Sequence, residues 1–296
     1  MTLPAIETFV ADLPHGIRLS CRACGPQGAP VLVFLHGFPE AAFVWDEVMR
    51  SLADRYRCVA PDLRGYGQSS TPPEVEAYRA KYLVQDIAAL IDTLGAPIAA
   101  LVAHDWGGAV AWNLAVQQPQ LIERLAIINS PHPGTFLREL QHNPTQQAAS
   151  AYMNFLCRPD AEALLAENDF ARLWPFFTGM NGGAWLTETV KQQYREVWQA
   201  GLTGPLNYYR ASPMRPPTPD DPAAMKLQFS AEQVTVRVPT LVLWGEADTA
   251  LPPALVDGLE EFVPVLRLHR VPGATHWVVH EQPGLVSRAL SEFVGH

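Results

Sequence analysis

No G-x-S-x-G run occurs in this chain, so the serine nucleophile of that strand-turn-helix motif is missing. Basic charge is also short: 21 Lys and Arg against 30 Asp and Glu leave a formal net charge of −9. Nucleic acid and anionic membrane surfaces need basic patches, so neither is expected as a partner, and a small neutral apolar substrate fits better. No apolar stretch reaches the length of a membrane span, and Met1-Thr2-Leu3-Pro4-Ala5-Ile6-Glu7 lacks the basic and apolar regions of a secretory leader. The expectation is a soluble cytoplasmic protein. The chain has only four cysteines. Cys21 and Cys24 form a lone C-x-x-C with no second pair to complete a zinc site, Cys58 lies in a strand-like run, and Cys157 stands apart. Neither a disulfide framework nor a metal or organic cofactor is implied.

What is present is a large apolar complement, 48% of 296 residues, enough for one elaborated domain or a core with a lid. Short apolar runs at Val31–Leu35, Cys58–Ala60, Ile98–Ala103, Leu125–Asn129, Thr240–Trp244 and Val265–Leu268 read as strands. Helical patterns lie between them. Leu83, Val84, Ile87, Leu90, Ile91 and Leu94 recur at helical spacing, and Gly95 with Pro97 ends that helix. Alternation of this kind implies an α/β fold with a mostly parallel sheet flanked by helices. After Asn129 the rhythm stops until Thr240, a gap too long for a structureless loop. Patterns at Ala148–Leu156, Ala161–Glu167 and Thr187–Trp198 predict an inserted helical cap rich in aromatics, with Pro213–Pro222 as an extended return linker. Residues 1–130 and 231–296 would form the core and 131–230 the cap, which would close over the carboxyl ends of the strands, where ligands bind in open α/β sheets.

Asp105 carries the chemistry. In Val102-Ala103-His104-Asp105-Trp106-Gly107-Gly108 a carboxylate stands between a strand and a helix, where a sharp elbow exposes its central side chain beside a free backbone N–H. A serine that displaced a leaving group from saturated carbon would form an ether, which water does not cleave. A carboxylate forms an ester, and esters hydrolyse. Asp105 therefore points to attack on an sp³ carbon bearing an epoxide oxygen or a halide. As a purely structural residue it would cap the helix near Trp106. The downstream loops Trp244-Gly245-Glu246-Ala247-Asp248 and Gly273-Ala274-Thr275-His276-Trp277 favour the chemical role, because they supply an acid and a base in the order nucleophile, acid, histidine. Asp248 would fix the tautomer of His276; Glu246 and Asp257 are weaker candidates for that acid. His276 and His280 stand four apart, but no Glu follows His276 to complete a zinc motif.

By these motifs the chain resembles the α/β-hydrolase superfamily along essentially its whole length, and within it the epoxide hydrolases with an aspartate nucleophile. His36-Gly37-Phe38-Pro39-Glu40 is similar to that family's oxyanion loop, which implies backbone N–H donors at Phe38 and Trp106 and a cis bond at Phe38–Pro39. Asp62–Ser70 looks like its Gly-rich loop, an architectural part, and His36 and His104 would be structural. Some relatives carry the acid after the preceding core strand, where this chain has Asn129-Ser130 and no carboxylate.

An epoxide needs an acid for its departing oxygen, whereas a halide needs only N–H donors. The resemblance implies two cap tyrosines for the former: Tyr152 in Ser150-Ala151-Tyr152-Met153-Asn154-Phe155, and Tyr209 in Gly204-Pro205-Leu206-Asn207-Tyr208-Tyr209-Arg210, with Tyr208 packing. Tyr152, Tyr209, Phe38 and Trp106 would also contact the substrate. Haloalkane dehalogenases resemble the chain too, and Trp106 could offer its indole N–H to a halide. Their usual asparagine donor is replaced here by Phe38, and no arginine beside Asp105 suits an anionic haloacid. A non-catalytic receptor on the same scaffold is a third reading, one that a complete set of nucleophile, base and acid disfavours.

Overall fold

A computed structural model of the chain describes residues 4–180 and 183–295. Eight strands form one sheet: β1 (Glu7–Asp12), β2 (Arg18–Cys24), β3 (Val31–Leu35), β4 (Arg57–Pro61), β5 (Ala100–His104), β6 (Leu125–Ile128), β7 (Thr240–Gly245) and β8 (Leu266–Val271). Their order is β1-β2-β4-β3-β5-β6-β7-β8, with β3 to β8 parallel and β1 and β2 running antiparallel at one end. This is an α/β-hydrolase arrangement. The two antiparallel strands escape a search for apolar runs because they alternate. In β2, Leu19, Cys21 and Ala23 are buried, while Arg18 is exposed and Ser20 and Arg22 are half-buried. The central strands β5, β6 and β7 are buried along their whole length, so they read as continuous apolar runs.

The helix Ala80–Leu94 buries Leu83, Val84, Ile87, Leu90 and Ile91 and ends at Gly95, whose φ of 93° suits a residue without a side chain. Between β6 and β7 the chain is a succession of helices from Pro133 to Val234. Ala148–Leu156, expected as one helix, is two. Pro144–Ala149 stops at Ser150, which is fully buried and whose hydroxyl accepts from Gln146, and Tyr152–Leu156 restarts with Tyr152 on its first turn. The expected Ala161–Glu167 helix runs on to Phe170 through a kink at Glu167, Asn168 and Asp169. Thr187 caps Glu188–Gln199, its side chain accepting from the Val190 N–H. Pro213–Pro222, expected to be extended, folds back on itself. Arg215 donates to the carbonyls of Tyr209 and Ser212 at 3.1 and 2.8 Å and pairs with Asp221, tying both ends together. Among the described residues no helix is long and apolar enough to cross a membrane.

Candidate active site

Asp105 sits directly after β5, at the first position of the helix Asp105–Gln117, with φ of 49°. Only a tightly held site keeps a β-carbon residue in that left-handed region, so the elbow is strained where the chemistry is expected. Two glycines make room for it. A Cβ on Gly107 would lie 2.5 Å from the His36 carbonyl oxygen, and one on Gly37 would lie 2.3 Å from the Asp105 carboxylate itself. The loop after β3 can therefore lie against the elbow, and the Phe38 N–H donates to Asp105 Oδ1 at 2.7 Å. The Trp106 N–H, in the first helical turn, has no intrahelical acceptor. The Phe38–Pro39 bond is cis.

The loops after β7 and β8 bring Asp248 and His276 to the same point. His276 Nδ1–H donates to Asp248 Oδ2 at 2.7 Å, and its Nε2 faces Asp105 Oδ2 at 3.7 Å. Asp248 is fixed from three further sides: Oδ1 accepts from the N–H groups of Ala250 and Leu251, and Oδ2 from Asn129 Nδ2 at 2.8 Å. Asn129 also accepts from the Gly245 N–H through Oδ1. A position passed over for lacking a carboxylate thus holds the carboxylate in place. Glu246 and Asp257 instead lie against Arg270, away from the site.

Burial alone would depress the His276 pKa, but the charge and hydrogen bond of Asp248, with Asp105 and Glu40 adding, raise it to about 9. The folded protein therefore binds this proton more tightly than the unfolded chain. That stabilisation is complete below about pH 6.5 and is lost as pH rises through about 9. On the order of 3 kcal/mol is at stake, at about 1.4 kcal/mol per unit. Urea midpoints of the native protein should fall from about pH 6.5 to 9.5 more steeply than those of His276→Gln. Parallel pH profiles would show that His276 carries no extra proton.

Tyr152 and Tyr209 approach from the helical insertion, with ring centroids 6.2 Å apart at 78°. Tyr209 meets Trp106 edge to face at 5.0 Å, and Phe38 at 5.2 Å. Burial, with the charge of Asp105 adding, pushes both phenols well above their ordinary range, so each stays a hydrogen-bond donor. Tyr208 packs, as expected, its hydroxyl satisfied by the Arg64 carbonyl at 2.9 Å.

A family model for the α/β-hydrolase fold matches residues 30–283. The chain belongs to that family. The hydrolase is 33% identical over 302 residues to epoxide hydrolase 4 of Mus musculus, an alignment covering 98% of this chain and 80% of that protein. The crystal structure of a Bacillus megaterium epoxide hydrolase in complex with an inhibitor superposes with a TM-score of 0.88 at 31% identity, over 97% of this chain and 100% of that one. A structure described among novel epoxide hydrolases in metagenomes from hot environments reaches 40% identity and a TM-score of 0.88, over 100% of both chains.

In the hydrolase two cavities meet at Asp105. One, of about 290 Å³, runs from Asp105 and Trp106 past Phe136 and Met214; the other, of about 300 Å³, includes Phe38, Phe176 and His276. Asp105, Tyr152 and Tyr209 line both. Beneath them is a buried polar layer in which His36 and His104 are structural, as expected, and which Glu40 joins. His36 Nδ1–H donates to the Gly37 carbonyl and Nε2 accepts from the Leu63 N–H, and burial lowers this histidine to about 4, so it is a neutral strut. His104 Nε2–H donates to the His276 carbonyl at 3.0 Å, and Nδ1 faces Glu40 Oε2 at 3.1 Å. Burial opposes the charge of Glu40, but hydrogen bonds from His104 and His280 outweigh it and hold the carboxyl well below the usual carboxylate range.

Proposed function

We propose that the protein converts a neutral, apolar epoxide to a vicinal diol through a covalent ester on Asp105, with residues 131–230 acting as the cap. The supporting observation is that Tyr152 and Tyr209 line both cavities together with Asp105, so a three-membered ring between them meets a nucleophile and two hydroxyl donors. In this scheme one carboxylate oxygen of Asp105 attacks a ring carbon. The C–O bond of the epoxide breaks, and the departing oxygen takes a proton from the tyrosine pair.

Ester formation also prepares the second step. It removes the negative charge of Asp105, one of the groups that hold the His276 pKa up, so His276 gives up its proton more readily once the substrate is attached. The neutral imidazole, oriented by Asp248, takes a proton from water. The hydroxide adds to the ester carbonyl of Asp105, and the Phe38 and Trp106 N–H groups hold the resulting oxyanion. Collapse expels the alkoxide, which takes the proton of the newly formed carboxyl group, so diol leaves and the Asp105 carboxylate is restored; the proton that His276 shed after ester formation returns to the tyrosine pair. No cofactor enters the scheme.

The test incubates purified protein with matched epoxides and bromoalkanes, following diol by chromatography and bromide by ion detection. Diol without bromide is the expected result. Tyr152→Phe and Tyr209→Phe should each slow ester formation, by about ten- to hundredfold, since each removes one donor to the departing oxygen. Bromide release that survives both substitutions would mean haloalkane dehalogenation, with Trp106 as the halide donor.

A further inference from the structure

Glu40 is almost wholly buried and lines neither cavity, yet three side chains converge on it. Its Oε1 accepts from His280 Nε2–H at 2.7 Å and from the Tyr194 hydroxyl at 2.9 Å, while Oε2 faces His104 Nδ1. Tyr194 belongs to the helix Glu188–Gln199 of the insertion, and His280 to the core, four residues beyond His276. The other face of the His104 ring holds the His276 main chain through its carbonyl, and the two imidazoles pack at 4.6 Å between centroids. A continuous hydrogen-bonded path therefore leads from the insertion, through Glu40 and His104, to the backbone of the base.

We propose that Tyr194 and His280 are positioning residues for His276: by fixing Glu40 from the cap side and the core side at once, they set the geometry of the ester-hydrolysis step. The same insertion helix grips the neighbouring peptide, Trp198 Nε1–H donating to the Pro39 carbonyl at 2.7 Å. Phe38, which offers the N–H to Asp105, is two residues before Glu40, so the clamp holds the oxyanion loop and the base loop together. His280 is itself held flat against Trp185 of the insertion, centroids 3.9 Å apart at 7°. Hydrolysis uses both clamped loops, whereas ester formation uses Asp105, Tyr152 and Tyr209, none of which bonds to Tyr194, His280 or Glu40. Loss of the clamp should therefore fall on the second step.

The inference rests on the two-step reading above, and its test separates the two. Wild type, Tyr194→Phe, His280→Leu and His280→Gln are mixed in single turnover with the epoxide that wild type turns over fastest, and ester and diol are followed by quenched-flow mass analysis. Tyr194→Phe and His280→Leu should slow ester hydrolysis about tenfold and leave ester formation within about twofold, since sub-ångström misplacement of a base costs factors of this size. His280→Gln, whose amide can donate to Glu40, should recover most of the loss. Equal slowing of both steps, or unchanged hydrolysis in variants with native circular dichroism, would overturn the proposal. Should wild type form neither ester nor diol from any epoxide, the substrate reading fails, and the clamp is judged without substrate. The downfield proton resonance of His276 Nδ1–H should move in Tyr194→Phe and His280→Leu and return in His280→Gln, and an unmoved resonance overturns the inference.

Discussion

Replacing His276 with glutamine should leave a protein that reacts with its substrate once and stops, heavier by the mass of one epoxide molecule. In the proposed scheme ester formation needs the Asp105 carboxylate and a proton donor at the departing oxygen, and both are intact in this variant. Hydrolysis needs a base. Glutamine is close to histidine in volume and can still bond to Asp248, which contacts His276 Nδ1 at 2.7 Å, so the loop should keep its path. Its amide does not take a proton from water near neutral pH, and steady-state turnover should drop by about two to four orders of magnitude, the usual contribution of a general base. Intact-protein mass spectrometry after brief exposure to substrate, followed by peptide mapping to Asp105, reads the result. An absence of adduct under conditions where wild type makes diol would eliminate the covalent scheme and leave direct attack of water on the epoxide.

The parts of the site that were legible in the sequence are those whose chemistry restricts residue type at a short spacing. Asp105 between an apolar run and Gly107-Gly108, and His276 after a Gly-containing turn, stand out because no packing rule calls for a carboxylate or imidazole there. The parallel strands were legible because burial on both faces removes every polar residue from β5 to β7 except Thr240 and His104. The antiparallel β1 and β2 were not, since half-buried strands carry polar residues at alternate positions and mimic a loop. Asn129 was hidden for a different reason. An amide has no catalytic signature, and its value lies in two hydrogen bonds to residues more than a hundred positions away, Gly245 and Asp248. Glu40 and His280 are 240 positions apart, and only the closure of the sheet and the packing of the insertion bring Tyr194 to them. Contacts made by folding rather than by local pattern were the ones left out.

Replacing Asp105 itself should be the most damaging change of all, and two substitutions distinguish why. Asp105→Ala removes the only carboxylate among the described residues that lines both cavities, so in the proposed scheme diol formation should fall by at least about four orders of magnitude, as losses of a covalent nucleophile do. Tight apolar binding can survive in this variant, because Trp106, Phe136 and Met214 are untouched. Asp105→Ser asks a sharper question. The hydroxyl would sit at the same strained elbow, near His276 and beside the N–H of Phe38, which no longer has a carboxylate to bond. Any attack on an epoxide from that oxygen would form an ether, so the expected product is at most one permanent adduct per molecule, resistant to hydroxylamine. The ester trapped in His276→Gln, by contrast, should be released by hydroxylamine. Sustained diol production by either Asp105 variant would mean that the carboxylate is not required and that diol arises without a carbon–oxygen bond to Asp105.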